Sequence, residues 1–195
     1  MKIQSINEIP KIRLTKHFTL KEICNSSNNQ NVVNNVNYYL ENEDIRNNVL
    51  RLCFVLEDIR EFVISNNLQK CLRLSCALRS PTHNSSLSNA SKTSHHLIGL
   101  AADIIFDSLK VKDRVYRALY NKDVKVDYDN LAQVIYEYNP RGGHWIHVGV
   151  RPKDWTRGLE YLYCPNDRKI WCNVKKTNTL YPWITKDNID SILMH

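Results

Sequence analysis

Ser94-His95-His96-Leu97-Ile98-Gly99-Leu100-Ala101-Ala102-Asp103 is the stretch whose reading decides the fold. It has the form Ser-x-His-x-x-Gly-x-Ala-x-Asp, with an imidazole and a carboxylate seven residues apart across a glycine. Residues 101–106 are too uniformly apolar for a half-exposed strand and are expected to form a buried one. Asp103 is then an acid in a place where acids are seldom found, and it needs a partner. Zinc is one such partner, since it accepts imidazole nitrogen and carboxylate oxygen alike. A catalytic zinc takes three protein ligands and keeps one position open, so the fold must bring a third ligand to His96 and Asp103.

Working outward, residues 133–138 read as a strand, residues 139–143 (Asn-Pro-Arg-Gly-Gly) as a turn, and residues 144–150 (His-Trp-Ile-His-Val-Gly-Val) as a second strand. Period-two alternation puts Trp145 and His147 on one face of that strand and Ile146 and Val148 on the other. His147 is the natural third ligand, provided its strand and the Asp103 strand are neighbours in one antiparallel sheet. A zinc ion held by His96, Asp103 and His147 would polarise a carbonyl and lower the pKa of its water to about 7, the equipment for hydrolysing an amide.

Upstream, residues 72–79 alternate as a strand with Arg79 at its far end, and a polar loop over residues 80–93 leads into the opening motif. The strongest helix is expected over residues 43–64, where Ile45, Val49, Leu52, Leu56, Ile59 and Val63 recur at three- and four-residue steps. A shorter helix starts at Thr19 with Glu22 in capping-box position and ends by an Asn/Ser-rich loop over residues 25–31; another covers residues 111–120. Beyond Val150, residues 159–164 and 169–174 are expected to form a hairpin, and residues 186–194 a short helix. This divides the chain into an N-terminal arm (1–13), a zinc-site domain (14–150) and a C-terminal extension (151–195).

The chain has 195 residues, is 43% hydrophobic, and carries a net charge of +7 from 27 basic and 20 acidic residues. No apolar run approaches the roughly 20 residues of a membrane span, and residues 1–8 have no secretory h-region. The positive charge suits an anionic cell-wall polymer. Nucleic acid is not expected, because no basic helix or aromatic–basic platform accompanies the charge. Of six cysteines, none shows finger spacing, and buried reduced thiols are the expectation.

The motif over residues 94–103, followed by Trp145-Ile146-His147-Val148, resembles the zinc D-alanyl-D-alanine carboxypeptidase family. The likeness is to the branch of murein peptidases that includes phage endolysin L-alanyl-D-glutamate and D,D-peptidases. It runs from Leu14 to about Val150, with Phe18 to Glu22, the long helix, Arg79-Ser80, Asn84 and the 133–137 strand in the family's order. It implies an α+β fold, hedgehog- and D,D-peptidase-like, in which a small antiparallel sheet carries one Zn2+ and packs against helices. It also implies cleavage of peptide bonds in peptidoglycan stems or cross-links by a protein made in the cytoplasm and acting at the wall after release, or as part of a virion. Arg79 matches an arginine that steadies substrate or oxyanion, and Ser94 is placed to orient the first ligand.

The family's acidic residue three positions before the third ligand is replaced here by His144. A histidine is matched to proton transfer near neutral pH, so His144 is the favoured base and Glu137 its competitor. Strict alternation sets His144 opposite His147, so its aim depends on a bend at Gly142 and Gly143. His95 is expected to point to solvent. The alternative reading is a catalytically inactive relative that keeps the metal as a structural or wall-binding module.

Overall fold

A computed structural model describes residues 2–88, 90–138, 143–164 and 172–173. Thr19 accepts the Glu22 backbone N–H while the Glu22 carboxylate accepts from the Thr19 N–H, and this capping box opens α1 (Leu20–Ile23). Asn28 caps α2 (Asn29–Glu41), and α3 (Glu43–Ser65) follows almost at once. Every residue of the stripe from Ile45 to Val63 is buried, Cys53 with it. Next come β1 (Arg73–Cys76), α4 (Pro81–Ser85), a 3-10 turn (His95–Ile98), β2 (Ala101–Ile105) and α5 (Leu109–Asn121). The chain continues through β3 (Leu131–Tyr138), β4 (His144–Val150), β5 (Glu160–Cys164) and β6 (Cys172–Asn173).

The strands make one six-stranded sheet in the order β1-β2-β4-β3-β5-β6. The sheet is mixed rather than wholly antiparallel as expected, because β5 runs parallel to β3. On one face Leu74, Ala102, Ile104, Val134, Tyr136, Ile146 and Val148 meet the apolar sides of α3 and α5 in the main core. The other face carries Cys76, Asp103, Ile135, Glu137, Trp145, His147 and Gly149, as the strand registers and alternation require.

Two segments read as loop are partly helical. The Asn-rich stretch begins α2 at Asn29, and the polar run after Arg79 contains α4, capped by Ser80. Asn35 and Asn37 of α2 are buried and hydrogen-bonded. Asn35 accepts the Ser80 N–H at 2.8 Å and donates to the Cys24 carbonyl, and Asn37 bonds both the N–H and the carbonyl of Ile3. Ile3 is therefore core, 1% exposed, within the stretch expected as an arm. Among the described cysteines Cys24 and Cys53 are buried, Cys76 is half-buried and Cys71 is exposed, so the expectation of buried thiols fails at Cys71. β5 and β6 pair antiparallel where a hairpin was expected; the helix expected over residues 186–194 lies outside the described residues. No helix is long and apolar enough to cross a membrane among the described residues.

Candidate metal centre

β2 and β4 pair antiparallel with Asp103 directly opposite His147, the neighbourhood the ligand reading requires. His147 Nδ1 stands 2.9 Å from Asp103 Oδ1. His96 arrives from the 3-10 turn, which Ser94 caps by accepting the His96 N–H and Gly99 closes in the left-handed conformation at φ 72°. Its Nε2 lies 3.4 Å from the same Asp103 oxygen. Two donors about 2.0–2.2 Å from one tetrahedral ion stand roughly 3.3–3.6 Å apart, so the His96–Asp103 spacing already suits a shared cation. The shorter His147–Asp103 separation is that of a hydrogen bond and would open by about half an ångström around an ion.

The donor chemistry tests this fit more sharply. His96 Nδ1 is 2.6 Å from the Ala77 carbonyl oxygen, which can only accept, so Nδ1 carries the proton. In the neutral imidazole Nε2 then presents a lone pair to the Asp103 carboxylate. Two acceptors face each other across 3.4 Å in a site where His96 is 2% exposed, and a cation between them turns that repulsion into coordination. Burial keeps His96 from supplying the charge by protonation: it lowers the imidazole, outweighing the attraction of Asp103. Burial would raise the Asp103 carboxyl, but the His96 and His147 imidazoles hold it well below its ordinary value. His147 is raised, because its bond to Asp103 outweighs burial.

Sequence reasoning missed Cys76. The donor atoms of Cys76, His96 and Asp103 all lie within 4.8 Å of one another, a group able to hold a metal ion. Burial, with Asp103 next and Arg79 opposing, pushes the metal-free thiol up to about 12. Cys76 escapes a pattern reading because it shares the parity of Leu74, which lies in the core; only a bulge between them brings Cys76 opposite Asp103.

Arg79 lies beside the centre: its N–H donates to the His96 carbonyl, its Nη2 donates to Ser94 Oγ at 3.0 Å, and its buried Nε has no hydrogen-bond partner. Glu137 sits on the metal face of β3, next to β4. Burial, with the Asp103 charge next, raises its carboxyl to about 7, against the pull of His147, Trp145 and Lys112. His144 is not brought to the centre. It is the partner of Tyr138 at the start of β4, on the helix-covered face, where burial and Lys112 lower its imidazole and Asp113 opposes them. The β3–β4 register is regular from Gln133 to Tyr138, so alternation from His147 to His144 is never reset. His95 does not face solvent as expected: its ring packs edge-on against Trp155 at 5.3 Å, and burial, with His147 next, lowers it to about 4.

No family model matches the chain, and no curated protein matches it.

Proposed function

We propose that this protein is a zinc-dependent peptidase that hydrolyses amide bonds in peptidoglycan stem or cross-link peptides, as a phage-type lysin or wall hydrolase. The observation that carries the reading is the His96 lone pair held against the Asp103 carboxylate, with His147 on the same oxygen. The resemblance of residues 94–103 and 145–148 to murein peptidases supplies the substrate class, and the net charge of +7 suits an anionic wall.

His96, Asp103 and His147 would hold the ion. When bound, zinc supplies Lewis-acid polarisation of the scissile carbonyl and acidification of water. The rest falls to the chain's own groups. Glu137, with a carboxyl raised into the neutral range, is the base: it takes a proton from attacking water and returns it to the departing amine nitrogen. Arg79, steadied by Ser94, brings its guanidinium charge beside the centre for the oxygen on which charge develops. Ile135, buried between His147 and Leu162 in register, gives the face an apolar floor that limits water around the reacting groups.

A second reading, a metal-retaining module without turnover, is favoured by one observation, the Cys76 thiol beside the metal donors. Zinc-loaded protein incubated with purified murein separates the two. Released amino groups with stoichiometric zinc are expected for the peptidase. Stoichiometric zinc with no release across about pH 5 to 9, where histidines and raised carboxylates titrate, establishes the module instead.

A further inference from the structure

We propose that Cys76 is itself a metal ligand, its thiolate joining His96 and Asp103, beside His147, in a site for a thiophilic divalent cation. This rests on the metal-centre reading above and goes beyond it in donor set and net charge.

The backbone carries the first part of the case. From Arg73 to Leu74 the β1–β2 ladder is regular, pairing with Ile105 and Ile104. Continued by one residue, it would set Ser75 opposite Asp103 and send Cys76 into the core beside Leu74. The bulge inserts a residue, and Cys76 takes the place opposite Asp103. Ser75 Oγ donates to the Asp103 carbonyl at 3.3 Å and pins the distortion. Bulges of this kind re-aim a side chain, and here the side chain re-aimed is a thiol, onto the face that holds two imidazoles and a carboxylate. Cys24 and Cys53 belong to the hydrophobic core, as small apolar fillers do, whereas Cys76 lies outside it, with Sγ 3.9 Å from His96 Nδ1, the nitrogen turned to the Ala77 carbonyl, and within 4.8 Å of an Asp103 carboxylate oxygen.

Charge carries the second part. Two neutral imidazoles and one carboxylate around a divalent cation leave a net charge of +1 in a site whose side chains are mostly shielded from water. A thiolate brings the sum to zero, the arrangement with the least burial penalty. Binding exchanges the Cys76 S–H bond for a sulfur–metal bond and releases the proton to solvent.

Cobalt(II) titration of the full chain and of Cys76→Ser tests the assignment. In the wild type, visible ligand-field bands report binding at the centre, and a near-ultraviolet sulfur-to-cobalt charge-transfer band reports the thiolate. The expected result is both bands in the wild type, with the charge-transfer band lost and the visible bands kept in Cys76→Ser. Visible bands without charge transfer in the wild type, or a charge-transfer band that survives in Cys76→Ser, overturn Cys76 and leave the other donors standing. Absence of visible bands overturns the metal centre and this proposal together. Should Cys76→Ser fail to fold, thiol alkylation of the wild type decides. Zinc must slow labelling of Cys76 while exposed Cys71 reacts at an unchanged rate; equal labelling of Cys76 with and without zinc refutes the ligand.

Discussion

Glu137 and His144 are each a short step from the third ligand, yet a single parity separates their fates. Glu137 is opposite Trp145, which shares a face with His147, while His144 shares its face with Ile146 and meets Lys112 and Asp113. Glu137→Gln should therefore leave zinc stoichiometry intact and lower turnover on murein by about 10²- to 10⁴-fold, the usual contribution of a positioned base. His144→Ala should change turnover little. The reverse pattern in a paired assay of zinc content and released amines would move the base to His144. At this scale the meeting of His96 and His147 at Asp103 was legible in the sequence, because a period of two and a glycine-closed turn are local rules. Cys76 and the environment of His95 were not. One depends on a bulge that leaves no mark in the hydrophobic pattern, the other on Trp155, sixty residues away in the chain, which walls it from solvent.

Among the elements, the turn that carries His96 is held from behind by α3. Gly99 has φ 72°, and a Cβ there would come within 2.9 Å of Val49 Cγ2 and 3.3 Å of the Ile45 carbonyl oxygen. Gly99→Ala combines a left-handed backbone with a clash against the helix, and should cost about 1–3 kcal/mol in a urea titration while weakening zinc binding. A second tie fixes the segment before α1 to α3: Glu57 accepts hydrogen bonds from Thr15 Oγ1 and the His17 N–H, both at 2.7 Å, and pairs with the His17 ring. Burial opposes this carboxylate, but the bonds from Thr15 and His17 prevail and lower its pKa from 4.5. Its contribution to stability is thus fully present above about pH 4.5 and lost as the pH falls through the lower folded value. Glu57→Gln should cost about 1–2 kcal/mol near pH 7, and urea midpoints of variant and wild type should converge in acid. The α3 stripe and the β4 boundaries could be read from periodicity, as most long elements can. The Asn-rich α2 could not, because Asn35 and Asn37 satisfy buried backbone groups of other segments, and no local pattern distinguishes them from loop asparagines.

At the scale of the whole molecule, the described residues form one sheet with a helical layer on one face and a polar, metal-competent face on the other. That division was legible in outline, since the alternation of the His147 strand and the acid in the apolar Asp103 strand set the two faces apart; the sheet's far edge was not. β4 ends at the start of β3, the chain crosses over through residues 151–159, and β5 then lies parallel along β3 from Gln133 to Glu137. Such a crossing rests on pairing between segments whose own patterns are silent about direction.

The parallel seam between β3 and β5 also bears on how the protein can be cut. Ending the chain at Val150, where the motif-bearing region stops, would keep every residue proposed here as a metal ligand or base. It would also strip β5 from β3 and leave the backbone groups that Gln133 to Glu137 turn toward β5 unpaired along a sheet margin. An open margin of that length templates strand addition from another copy. The shortened chain should bind zinc when dilute yet scatter light and sediment as it is concentrated, while the full chain stays monodisperse; equal scattering from both at matched concentration would show that β5 does not guard that margin.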